Sequence, residues 1–212
     1  MNLGIIGATG TIGSRIFKEA LGRGHKVTAI ARDASRIPED RAGAAWKVGD
    51  ALDPNSLVEV IGGQDAVICA FSQGKGGDPQ KLVRVAHSLL DAFGRRPGLR
   101  LLVVGGAGSL EVAPGKTVID AGMIPQEWIA IPIAARDALA VFRQNTRVPW
   151  TYFSPAASIA PGERTGKFRL ENDKLVVGAD GKSAISCEDF AMAMLDEVEH
   201  PLHIGKRFTI GY

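Results

Sequence analysis

Three glycines stand at intervals of three residues in Gly7-Ala8-Thr9-Gly10-Thr11-Ile12-Gly13, after the apolar run NLGII and before residues of helical spacing. That pattern suits the holding of a pyrophosphate. Gly7 permits a sharp turn out of a strand, and Gly10 lets the main chain approach a phosphate. Gly13 lets the following helix pack closely. Unpaired amides at the helix start then face the anionic charge. A merely structural glycine turn is the plain alternative, but the strand–turn–helix setting and a second strand at the expected distance favour the ligand.

The second strand-like run, KVTAIA, leads into Arg32-Asp33-Ala34-Ser35-Arg36. An acidic residue about twenty positions past the glycines marks sites that hold ribose hydroxyls, whereas arginine serves a 2′-phosphate. Arg32 follows the strand at once and Arg36 can converge from the next turn. Two guanidinium forks suit a phosphate, so NADP(H) is favoured over NAD(H). Asp33, rotated inward, would instead hold a hydroxyl, and two solvated arginines are the bland alternative.

Further polar and glycine-rich groups stand where strands end. Asp50 and Ala51 follow the third run, where Asp50 can accept from an adenine amine, although Asp53 before Pro54 also has the form of a helix cap. Ala70, Phe71 and Ser72 end the fourth run, under the expected ribose and pyrophosphate. Gly105 and Gly106 open GGAGS after the fifth, where the nicotinamide half should arrive. Open α/β sheets bind ligands at such strand ends.

The elements that must position these residues are visible as alternation. NLGII, KVTAIA, AAWKV, DAVICAF and RLLVV are apolar runs of strand length, without the alternation of a half-solvated sheet. Between them, Ile12, Ile16, Phe17, Ala20 and Leu21 mark one helix, residues 55–61 a second, and Leu82, Ala86, Leu89, Leu90 and Phe93 a third. Ala134, Ala138, Val141 and Phe142 mark a fourth before the strand WTYF. The fold class is therefore α/β: a doubly wound, mainly parallel sheet with helices on both faces and a small C-terminal cap. Residues 1–212 read as one domain, with 154–185 as a substrate-side loop and hairpin. The hairpin is expected from FRLE and KLVV about Asn172-Asp173. Residues 154–167 read as a long loop able to act as a lid. Ser186-Cys187-Glu188-Asp189 has the form of a capping box, opening a helix with Phe190, Met194, Leu195 and Val198 inward. RFTIGY closes the chain as a strand.

Composition narrows the classes of function. The chain has 212 residues, 45% of them hydrophobic and 23% charged, with a net charge of +2, which argues against nucleic acid as a partner. Cys69 and Cys187 have no metal-ligand spacing, so no metal is expected, and Cys69 reads as a buried strand thiol. Without a leader-like or membrane-length apolar run, a cytoplasmic protein acting on a small molecule is expected, and a homodimer is neither required nor excluded.

With these residues in hand, the chain resembles the atypical short-chain dehydrogenase/reductase group, in its NmrA-like branch, and is similar to the flavin and biliverdin-IXβ reductases there. GATGTIG, ARDASR, the GD after the third strand, VGGAGS and WTYFSPAASIAPGERTGKFRL carry the resemblance over nearly the whole chain. It implies a cofactor lined by Thr9, Gly10, Thr11, Ile12, Arg32, Arg36, Asp50, Ala51, Ala70 and Phe71, with Pro155 and Ala156 near the carboxamide.

One departure from the group bears on chemistry. Many short-chain reductases use a Tyr-x-x-x-Lys pair, in which Lys lowers the Tyr pKa and Tyr delivers a proton. Of the two tyrosines here, Tyr152 is followed four residues later by Ala156, and Tyr212 ends the chain. Hydride transfer to a conjugated acceptor such as a flavin or quinone survives this loss, because solvent can protonate a delocalised product. A non-enzymatic NADP(H) sensor and a nucleotide-sugar-type epimerase/dehydratase relative are the alternatives. The catalytic residues are unknown from the sequence. Ser109, Trp128 and Arg164 are candidates, with Ser154 and Ser158 beside them. Ordinary packing at a helix start explains Trp128 at least as well, and Arg164 and Lys167, which could draw in an anionic substrate, are charged loop tips of the kind usually just solvated.

Overall fold

The computed structural model describes residues 1–74 and 76–212, apart from the side chain of Ala42. Strands β1 (Asn2–Ile6), β2 (Lys26–Ala31), β3 (Ala45–Val48), β4 (Ala66–Cys69) and β5 (Arg100–Val104) alternate with helices α1 (Thr11–Gly22), α2 (Pro54–Val60) and α3 (Lys81–Gly94). Two short strands, β6 (Glu111–Ala113) and β7 (Lys116–Thr117), pair beyond β5, and α4 (Ala130–Arg143) then leads to β8 (Trp150–Ser154). The chain closes with β9 (Ser158–Ala160), β10 (Arg169–Glu171), β11 (Ala184–Ser186), α5 (Cys187–Glu199) and β12 (Lys206–Gly211).

The main sheet has eight strands in the order β10-β12-β8-β5-β4-β1-β2-β3. All neighbours are parallel except β10, which runs antiparallel to β12 with Arg169 opposite Gly211. Parallel strands are covered on both faces, and the apolar runs obey this. Leu3, Ile5, Phe153 and Phe208 turn to the α1–α5 side, whereas Ile6, Val67, Val103 and Tyr152 turn to the α2–α3–α4 side. Because β1 pairs with β2 on one flank and β4 on the other, the order reverses at β1, which opens a crevice at the strand ends.

The C-terminal third departs from expectation in its strand pairing. FRLE and KLVV do not form a hairpin. β10 pairs instead with β12, and the next residues form only a single bridge, between Lys174 and Glu111. β12 offers β10 a long partner at the sheet edge, which a two-residue turn at Asn172-Asp173 would forgo. Beside the sheet, β9 pairs in parallel with β11. The capping signal at Ser186 is half realised, since its Oγ accepts from the Asp189 amide at 2.9 Å. The Asp189 carboxylate turns elsewhere. It accepts from the Thr165 hydroxyl at 2.6 Å, the Gly166 amide at 2.8 Å and the Tyr212 hydroxyl at 2.9 Å.

Candidate dinucleotide site and acceptor chamber

The three glycines of the turn answer to different constraints. Gly7 has φ +81°, and a Cβ there would stand 2.5 Å from the Ala70 carbonyl oxygen. A Cβ on Gly13 would stand 2.1 Å from the Gly7 oxygen, so α1 starts against the turn itself. Gly10 is extended (φ −82°, ψ 171°), and a Cβ there would meet only the Gly7 oxygen, at 3.3 Å. Folding therefore demands Gly7 and Gly13, whereas at Gly10 the missing side chain leaves room in front of the helix. No side chain caps α1 and no acid lies in its first turn, so its leading amides face that room.

The room is a groove of about 420 Å³. Gly7, Thr9, Gly10, Thr11 and Ile12 after β1 form its centre, with Arg32 and Arg36 after β2 and Asp50 and Ala51 after β3 on one flank, and Ala70, Phe71 and Ser72 after β4 on the other. Asp33 is not part of it. Its carboxylate accepts from the Ser35 amide at 2.9 Å, and that bond holds its pKa below the usual value. The inward rotation that would have served a ribose hydroxyl is thus spent on capping a turn. Asp50 Oδ1 accepts from the Leu52 amide at 2.9 Å, and Asp53 caps α2 through the Asn55 amide. Among the described residues, Ile6, Ile30, Ala31, Gly49, Gln73, Gly74 and Val104 complete the lining. Of these, Ala31, Gly49 and Val104 belong to the ARDASR, GD and VGGAGS stretches, and the others carry no charge or motif that marks them in the sequence. The groove fits a dinucleotide: an uncapped helix start faces its middle, and two cations stand on one flank.

A second cavity of about 260 Å³ meets the first at Ile12, Phe71, Ser72, Gln73 and Val104. Gly105, Gly106 and Ala107 line it together with Ile131, Pro132 and Ala135 from the first turns of α4, against which the loop packs. Leu82, Val85 and Leu89 of α3 close its back. The glycines after β5 are there for packing as well. A Cβ on Gly105 would lie 2.1 Å from the Tyr152 ring, and one on Gly106 would lie 2.9 Å from Ala135 Cβ. Among the described residues, two titratable side chains line this chamber. Burial pushes the Cys69 thiol up to about 12 and raises the Tyr152 phenol above its ordinary range. The Tyr152 hydroxyl is already committed, donating to the Ala135 carbonyl at 2.9 Å. Among the described residues no cluster of three metal-ligating side chains occurs.

Several candidates stand elsewhere. Arg164 donates two bonds, at 2.9 and 2.8 Å, to the Glu19 carboxylate on α1, outside both cavities. Its segment is no free loop either, because Glu188 holds the Gly162 amide at 2.8 Å and β9 is paired. Lys167 and Ser158 are exposed, and neither lines a cavity. Pro155 and Ala156 are buried behind the site, with Ala156 in the α1–α5 core, so neither lines the groove or chamber. Ser154 is wholly buried on β8. Ser109 accepts from Arg207 at 3.2 Å and does not line the chamber. Trp128 is 66% exposed in a short turn before α4, neither packed nor in the chamber wall. A further concavity, lined by residues 61–65 and 95–99, lies at the N-terminal ends of β4 and β5, away from the crevice. No described helix is long and apolar enough to cross a membrane.

Comparison with known proteins bears directly on this crevice. A family model described as NAD(P)H-binding matches residues 7–201. The uncharacterized protein YwnB of Bacillus subtilis is 40% identical over 99% of this chain and 98% of its own. A solved structure from Bacteroides thetaiotaomicron, named as a candidate epimerase, is 39% identical with a TM-score of 0.89, covering 100% of this chain and 96% of that one. Another, from Streptococcus pneumoniae and named as a candidate NADH-flavin reductase, is 30% identical with a TM-score of 0.86 over 100% and 99%. The glycine turn and the crevice lie inside the span these proteins share, and the chain belongs to the NAD(P)H-binding family, with atypical, NmrA-like short-chain dehydrogenases/reductases as its relatives.

Proposed function

We propose that the protein is an NADP(H)-dependent reductase acting on a small, flat, conjugated acceptor such as a flavin or quinone. The observation that carries this is the junction of the two cavities. A groove suited to phosphates opens into an apolar chamber whose described titratable groups, Cys69 and Tyr152, are held neutral. Bound there, NADPH supplies a hydride. The amides at the start of α1 would hold the pyrophosphate, and Arg32 with Arg36 the 2′-phosphate. Ile131, Pro132 and Ala135 would exclude water from one side of the acceptor and keep it against the junction. An acceptor whose reduced form spreads its charge takes its proton from solvent, so it needs no enzyme-borne acid. Epimerisation and carbinol oxidation need a positioned acid or base, and neither Cys69 nor Tyr152 offers one.

The test is purified protein with NADPH and a panel of flavins and quinones, followed by loss of the reduced-nicotinamide absorbance. Turnover with at least one planar acceptor is expected. Tight NADPH binding without turnover across the panel would overturn the reductase reading in favour of a sensor.

A further inference from the structure

Arg207 is an arginine in an unusual place. It stands on β12 beside Tyr152 of β8, and its side chain is 2% exposed. Its Nε donates to Asp173 Oδ1 at 2.7 Å, and Nη2 reaches the same oxygen. Nη1 donates to the Ser109 hydroxyl at 3.2 Å and Nη2 to the Ser109 carbonyl at 3.4 Å. Asp173 gathers other elements as well. Its carboxylate accepts from Arg143 of α4 at 3.0 Å, and its carbonyl from the Glu111 amide at 2.7 Å. Ser109 in turn lies in the tight turn closed by the Leu110 amide on the Ala107 carbonyl at 2.9 Å. Ala107, with Gly105 and Gly106, is chamber wall. A glycine-rich loop has little stiffness of its own. Here it is held from behind by a buried fork.

We propose that Arg207, anchored on Asp173, is the positioning residue of the acceptor chamber: it fixes the 105–110 loop in the shape that forms the chamber's wall. The fork matters as much as the charge. A lysine could meet Asp173, but it could not span both the hydroxyl and the carbonyl of Ser109. The effect on acceptor kinetics rests on the reductase reading. The effect on the loop does not.

The experiment compares Arg207→Met, Arg207→Lys and Asp173→Asn with the wild type. Asp173 is half exposed, so Asp173→Asn serves if Arg207→Met fails to fold. Hydrogen exchange of the amides of residues 105–110 should accelerate by about tenfold or more in every variant, with β1 and β4 unchanged. NADPH affinity should stay within about twofold, while the acceptor KM rises by roughly tenfold and more than kcat falls. Arg207→Lys should behave like Arg207→Met. Unchanged exchange in the loop, or acceleration spread evenly over the sheet, would overturn the proposal. So would an unchanged acceptor KM in a folded variant. If the wild type reduces no acceptor, the exchange measurement alone still decides the role of Arg207.

Discussion

Substituting alanine at Gly10 and at Gly13 should separate two kinds of necessity. At Gly13 a methyl group would lie 2.1 Å from the Gly7 carbonyl oxygen and 2.8 Å from its carbon. Both are main-chain atoms held by β1 and the turn, so α1 must move away from the sheet. Overpacking of this severity costs about 3 kcal/mol, which for a chain of this length lowers Tm by about 6–12 °C. At Gly10 the backbone is extended and the nearest atom would be 3.3 Å away. Alanine is a poorer helix cap than glycine but restrains the unfolded chain, so the net change is at most about 1 kcal/mol, or about 2–4 °C. The same methyl group stands where a pyrophosphate must approach. Loss of one charge-assisted amide bond costs about 1.5–3 kcal/mol, a weakening of roughly ten- to a hundredfold. Thermal melting and calorimetric titration with NADPH measure both effects. Wild-type affinity in folded Gly10→Ala would refute the reading of the groove, and an unchanged Tm in Gly13→Ala would refute the close approach of α1.

Three other outcomes follow from the same geometry. Arg32→Ala and Arg36→Ala should each weaken NADPH by roughly ten- to a hundredfold and NADH far less; equal losses by titration would mean that the arginines do not read the phosphate. Arg164→Ala should leave NADPH affinity and turnover within about twofold and cost at most about 1 kcal/mol, because its partner Glu19 lines neither the groove nor the chamber and the guanidinium is half exposed; a marked loss of turnover at wild-type NADPH affinity would restore a role at the acceptor. Burial pushes the Asp189 carboxyl up, but bonds from Thr165, Gly166 and Tyr212 outweigh it and leave its pKa below the ordinary value. A lowered folded pKa gives stability that is present above the unfolded pKa of about 4 and lost as pH falls below it. Asp189→Asn should therefore lower Tm at pH 7 and flatten the fall in Tm between about pH 5 and 2; an equally steep acid limb would show that other carboxylates carry it.

Local sequence reached far in this protein because its first two thirds are built from local signals. Apolar runs covered on both faces reveal parallel strands without any knowledge of their partners, and glycine spacing reveals the turn at β1. Arg32 and Arg36 were legible because a single strand–turn segment carries both. Asp33 was ambiguous for the same reason: only the folded turn decides whether a carboxylate faces a ligand or its own backbone, and the Ser35 amide takes it. Where partners are distant in sequence, the residues were silent. FRLE looks the same whether it pairs with KLVV just beyond the turn or with β12 near the end of the chain. Arg164 looks like a loop-tip cation until Glu19 is brought beneath it. Arg207 and Asp173 are ordinary polar residues, and Ser109 a catalytic candidate without a partner, until β12, the segment after β10 and the loop after β5 converge. The turn that can hold phosphates is thus written in consecutive residues, whereas the chamber beside it depends on long-range packing. Side-chain direction and burial there are set by which elements meet, and no spacing along the chain encodes that.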